Sequence, residues 1–125
     1  MRKAIDRPGV TNPLPYSAAI ETSGRLLFIS GQGPVDVTTG EQERGGFEAE
    51  ARRTLDNLAN VASVAGADLS RAVKVNVFLR DMDDFPAFNA IYPEYFPEPR
   101  PARTTIQSDL PGFAIEVDAI LALDD

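Results

Sequence analysis

The chain contains neither cysteine nor histidine. Their absence excludes disulfides, thiol nucleophiles, Cys/His zinc centres and any Ser-His-Asp relay together. Any chemistry must use carboxylates, arginine, lysine, tyrosine, hydroxyls, backbone groups and water. Clustered positive charge is scarce as well. Twelve basic against nineteen acidic side chains give a net charge of −7, and no Lys/Arg run exceeds the pairs Arg2-Lys3 and Arg52-Arg53. A phosphate backbone is bound mainly through clustered cations, so no nucleic-acid partner is expected, while a small anion at a local site stays open. Long apolar runs are also missing. The N-terminal "MRKAIDRPGV" has no apolar signal core, and no stretch approaches ~18 consecutive apolar residues. We therefore expect a cytoplasmic protein with no membrane partner.

What remains is an ordinary globular composition: 125 residues, 43% hydrophobic and 25% charged. That fits one domain spanning residues 1–125 with a real core. Residues 17–23, "SAAIETS", and 26–30, "LLFIS", read as two short strands joined by a turn at Gly24. "GQGPVDVTTGE" then reads as a loop, its glycines being turn glycines. From Phe47 the period changes. Phe47, Ala51, Leu55, Leu58, Ala62 and Ala65 recur at three or four, which predicts an amphipathic helix with Glu48 and Glu50 in its first turn and Gly66 just past its end.

"VKVNVFLR", residues 73–80, alternates apolar and polar positions and predicts a strand with one buried face. "FPAFNAIYPEYF" predicts a second helix, capped from Asp81–Asp84 and kinked or stopped near Pro93, which cannot donate to the Asn89 carbonyl. "RTTIQ" and "AIEVDAILAL" are two last strands, separated by a turn signal at Pro111-Gly112. The expected architecture is α+β, two helices packed on one face of a mixed sheet.

Two charges stand out. Arg103 opens a strand after a proline-rich turn, and Glu116 sits inside a strongly strand-forming run. A tight turn at Pro111-Gly112 would set Glu116 opposite Gln107 and leave Arg103 on the order of 13 Å away. At this level Arg103 is either a solvated edge charge or a fixed anion clamp, and Glu116 is solvated, paired or functional. From the residues alone Tyr16 reads as a turn aromatic, and Asn89 as a polar helix-face residue.

Taken together, "PYSAAI", "LLFISGQGPVDVTTGE", the long stretch from "EARRTLDNLAN" to "IYPEYF", "RPARTT" and "AIEVDAI" resemble the RidA/YjgF family of reactive-intermediate deaminases over nearly the whole chain. The resemblance implies a chorismate-mutase-like fold assembled as a homotrimer, with a ligand cleft at each subunit interface. It assigns Arg103 to the arginine that holds a substrate carboxylate and Glu116 to the acid that positions water. Tyr16, Gly31 and Asn89 fall on cleft-lining positions, and Thr105 stands on the pocket wall where the deaminases often carry cysteine.

The implied reaction is hydrolysis of small enamines and imines, of the 2-aminoacrylate and 2-iminobutanoate type, to 2-oxo acids and ammonia. It calls for no metal, cofactor or covalent nucleophile. Three alternatives remain beside it: a non-catalytic 2-oxo acid binding protein, a ribonuclease, and a deaminase of a larger enamine such as 2-aminomuconate.

Overall fold

The computed structural model describes residues 2–9 and 14–124. Its strands are β1 (Arg2–Ile5), β2 (Ala19–Thr22), β3 (Leu26–Gln32), β4 (Ala72–Leu79), β5 (Ala102–Gln107) and β6 (Ile115–Ala122), and its helices are α1 (Phe47–Val64) and α2 (Phe85–Ile91). The principal sheet has the order β3-β6-β4-β5. β6 runs antiparallel to both β3 and β4, and β5 runs parallel to β4. A parallel pair needs a crossover, which here includes α2.

The helices form where the apolar period places them. α1 ends at Val64 with Ala65 as its C-terminal cap, and Gly66 follows at φ 76, the left-handed position that a helix terminus favours for glycine. α2 has Pro86 in its first turn and stops at Ile91, where the chain tightens into a 3-10 turn at Tyr92–Glu94. The missing N–H of Pro93 accounts for that change. Leu55, Leu58 and Ala62 of α1 pack with Phe88 and Tyr92 against Val75, Val77, Leu79, Ile115, Val117 and Leu121. Each fully buried aliphatic side chain of this kind contributes about 1.5–3 kcal/mol.

Alternate positions of the same strands form the opposite face. There Phe78 pairs with Glu116, Asn76 with Asp118, and Phe28 with Ile120. Phe28 is 69% exposed and Ile106 47% exposed, so this face carries large apolar groups that no helix covers. The expected α+β arrangement, a mixed sheet with helices on one face, is what is observed.

Three local expectations are corrected. β2 does not pair with β3; it pairs with β1, whose strand character "RKAI" is too short to show in periodicity. β5 and β6 form no hairpin, because β4 lies between them. Gly31 is no turn glycine: it lies within β3, without positive φ, at a bulge where the pairing shifts between Ile29 and Gln32.

Candidate active site

Arg103 lies on the edge strand β5 in register with Val75, so its side chain rises on the helix-covered face. Its Nη2 donates to Asn89 Oδ1 on α2 at 2.8 Å. Four aromatic rings surround the guanidinium carbon: Tyr92 at 4.6 Å, Tyr16 at 5.5 Å, Phe85 at 5.7 Å and Phe88 at 5.8 Å from the ring centres. Phe85, Phe88 and Tyr92 come from one face of α2 and its 3-10 extension. Tyr16 is brought in from the other end of the chain, because Ser17 donates its N–H to the Pro101 carbonyl at 3.1 Å and bridges to Ala102.

No carboxylate pairs with Arg103 among the described residues, and its buried Nη1 has no hydrogen-bond partner there. Burial lowers its pKa, with Tyr92 and Tyr16 opposing the shift. An arginine nevertheless stays charged in a protein. The ring faces supply part of the electrostatic compensation a carboxylate would give, about 0.5–2 kcal/mol per well-placed ring. Arg103 is thus a half-buried, oriented cation whose second guanidinium nitrogen is unmatched within the chain.

Thr105, in register with Val77, shares this face, and its buried Oγ1 also lacks a partner among the described residues. The Tyr92 hydroxyl is a third such atom, and burial pushes its pKa up, so it remains a neutral phenol. Tyr16 and Arg103 border an open groove of about 870 Å³ together with Lys74, Glu98 and Arg100.

Glu116 and Gly31 lie elsewhere. Glu116 pairs with Phe78 on β4, on the face opposite Arg103. The half-buried carboxylate makes no hydrogen bond or ion pair among the described residues, and it occupies the space that a side chain at position 31 would need. The structure therefore sorts the six expected residues into two groups. Tyr16, Asn89, Arg103 and Thr105 gather at the β5–α2 edge, whereas Gly31 and Glu116 meet on the uncovered face. One chain does not bring Arg103 and Glu116 onto a common small molecule.

Sequence reasoning missed the aromatic cage. Its signal was the spacing of Phe85, Phe88 and Tyr92, an aromatic stripe on one helix face directly before Arg103 in the chain. Among the described residues no cluster of carboxylates is placed to hold a metal ion, and no helix is long and apolar enough to cross a membrane.

Comparison with known proteins identifies the family and the fold. Residues 5–123 match the family described as Endoribonuclease L-PSP. A RutC family protein of Pyrococcus horikoshii is 41% identical over 123 residues, covering 96% of this chain and 97% of that protein. A Dermatophagoides farinae protein named 2-iminobutanoate/2-iminopropanoate deaminase is 36% identical, covering 98% of both chains. The crystal structure of RidA from an Antarctic Psychrobacter species superposes with a TM-score of 0.74 at 35% identity, covering 97% of this chain and 94% of that one. With matches that span nearly its full length, the chain belongs to the L-PSP family, the RidA/YjgF proteins.

Proposed function

We propose that this protein is a cofactor-independent hydrolase of small 2-imino acids and their enamine tautomers, working at a site completed by a second copy of the chain. The observation that carries the reading is Arg103: a half-buried, pre-oriented cation with no counter-ion and an unmatched Nη1 among the described residues. A planar guanidinium binds a carboxylate through two parallel charge-assisted bonds, which fix orientation as well as charge. The deaminase named among the relatives supports the same substrate class.

In this mechanism Arg103 holds the carboxylate of R–C(=NH)–COO⁻ and thereby presents the imine carbon. Glu116 of a neighbouring copy holds the attacking water. As oxygen bonds to carbon, Glu116 takes one water proton and passes it to the imine nitrogen, giving the carbinolamine; it then takes the remaining hydroxyl proton and delivers it to the amine as the C–N bond breaks and the C=O bond forms. The products are the 2-oxo acid and ammonia. Orientation of this kind can remove several kcal/mol of barrier, and a positioned general base contributes about 10²- to 10⁴-fold.

Two copies are invoked because Arg103 and Glu116 occupy opposite sheet faces. The uncovered face, with Phe28 and Ile106 exposed, is the surface a neighbouring copy would cover, and closure around an axis makes a homotrimer the natural assembly. An RNA substrate, suggested by the family's description, is disfavoured by the net charge of −7.

The test generates the imine in situ with a pyridoxal-phosphate dehydratase and follows release of oxo acid and ammonia. Acceleration by the wild type, abolished in Arg103→Ala, is expected. If 2-oxobutanoate binds by calorimetry but release is not accelerated, the protein is a carboxylate-binding protein and the enzymatic reading is wrong. Substrate size is read in the same assay by comparing 2-iminobutanoate with a larger enamine such as 2-aminomuconate.

A further inference from the structure

Asn57 is a polar residue in an apolar place. It stands on α1 between Leu55 and Leu58, only 4% exposed. Its Nδ2 donates both amide hydrogens to backbone carbonyls, Gly33 O at 2.9 Å and Val35 O at 2.8 Å. Roughly two turns earlier on the helix, Glu50 reaches a different segment: its Oε1 accepts from the Ala114 N–H at 2.9 Å.

The two anchored segments are the ones that frame Glu116. Gly33 lies two positions after Gly31, and Ala114 two positions before Glu116. The β3–β6 ladder does not hold Gly31 in place, because the register jumps from Ile29↔Ala119 to Gln32↔Val117 and leaves Ser30 and Gly31 in the bulge. A bulge frees backbone that would otherwise be fixed by regular pairing. Side-chain bonds to the following loop are then what restrains it. From the other side, Ala114 O accepts from Arg80 N at 2.9 Å, so this stretch is held at both its amide and its carbonyl.

We infer that Asn57 and Glu50 are positioning residues: from one rigid helix they fix the two backbone segments between which the Glu116 carboxylate meets Gly31. The inference rests on Glu116 as the water-holding base, and it extends that assignment to two side chains that never touch substrate. A carboxylate that meets the backbone at Gly31 depends on where that backbone stands, and an error of about 1 Å at a reacting group can lower the rate about 10²-fold. α1 thus supplies precision that the sheet cannot.

The experiment compares wild type with Asn57→Ala, Glu50→Ala and Glu50→Gln by amide hydrogen exchange and by steady-state kinetics. In Asn57→Ala the amides of residues 30–35 should exchange at least about tenfold faster while those of β4 keep their protection. kcat should fall about tenfold or more, with 2-oxobutanoate affinity changed by less than about threefold, because Arg103 is untouched. Glu50→Ala should lower kcat in the same way, and Glu50→Gln, whose amide oxygen can still accept from Ala114, should rescue it.

Unchanged exchange at residues 30–35, loosening spread evenly over all strands, or unchanged kcat in folded Asn57→Ala and Glu50→Ala each overturns the inference. Failure of Glu50→Gln to rescue overturns it for Glu50. If the wild type itself hydrolyses no imine, the functional reading fails, and local exchange alone then decides whether the two residues fix Gly31 and Glu116.

Discussion

A single methyl group at position 31 should separate binding from chemistry. In Gly31→Ala the new carbon would overlap Oε2 of Glu116 and stand 2.8 Å from its Cδ and 3.1 Å from its Cγ. Carbon atoms prefer separations of about 3.5–4.0 Å, so the carboxylate must retreat by roughly 1 Å. The backbone raises no objection, since Gly31 has no positive φ, and the group that yields is the end of a flexible side chain. The fold should therefore survive. A misplacement of about 1 Å corresponds to a loss of about 10²-fold in kcat, or about 2.7 kcal/mol of transition-state stabilisation. Affinity for 2-oxobutanoate should stay within about threefold, because the Arg103 cage lies on the other face of the sheet. The dehydratase-coupled assay, calorimetry and a thermal melt read the three quantities. Wild-type kcat in Gly31→Ala would refute the packing of Glu116 against Gly31 as a catalytic arrangement, and loss of oxo-acid binding along with kcat would refute the separation into two groups.

Arg103→Lys should keep the fold and lose most activity, about 10²-fold or more, since an ammonium cannot reproduce the two-pronged contact or the stacking on four rings; near-normal activity in the coupled assay would mean that another group holds the carboxylate. Tyr92→Phe deletes a buried hydroxyl without a partner among the described residues and should raise stability by up to about 1 kcal/mol in a denaturant titration. A clear loss of stability would show that the hydroxyl is bonded after all.

Period and punctuation in the sequence revealed elements but not partners. α1 and β4 are legible because their burial alternates with the helix and strand periods over many residues, as at Leu55, Leu58 and Ala62 or Val73, Val75 and Val77. The stop of α2 at Ile91, two residues before Pro93, follows from one missing N–H. Pairing is different, because it is decided between distant segments. Pro111-Gly112 is a genuine turn signal, yet β6 turns back onto β4 rather than β5, and nothing local says so. The same limit hid the arrangement of the site. Arg103 and Glu116 were visible as misplaced charges, but their opposite faces depend on β4 standing between their strands. Gly31 resembled every other loop glycine, since its role comes from a carboxylate far along the chain. Asn57 left no such trace, since at helical spacing its neighbours are Arg53, Thr54, Asn60 and Val61, and its burial comes from a loop folded over the helix.

The most direct measurement is complementation between two inactive variants. Arg103→Ala and Glu116→Gln each disable one of the two groups through a single residue, and co-expression under separate tags yields mixed assemblies whose composition is checked by native mass spectrometry. If each site takes Arg103 from one copy and Glu116 from another, random mixing in equal amounts leaves about a quarter of the sites intact, so about a quarter of wild-type activity should return. If verified mixed assemblies remain as inactive as the parent variants, the two residues do not act across copies, and the proposed site is wrong.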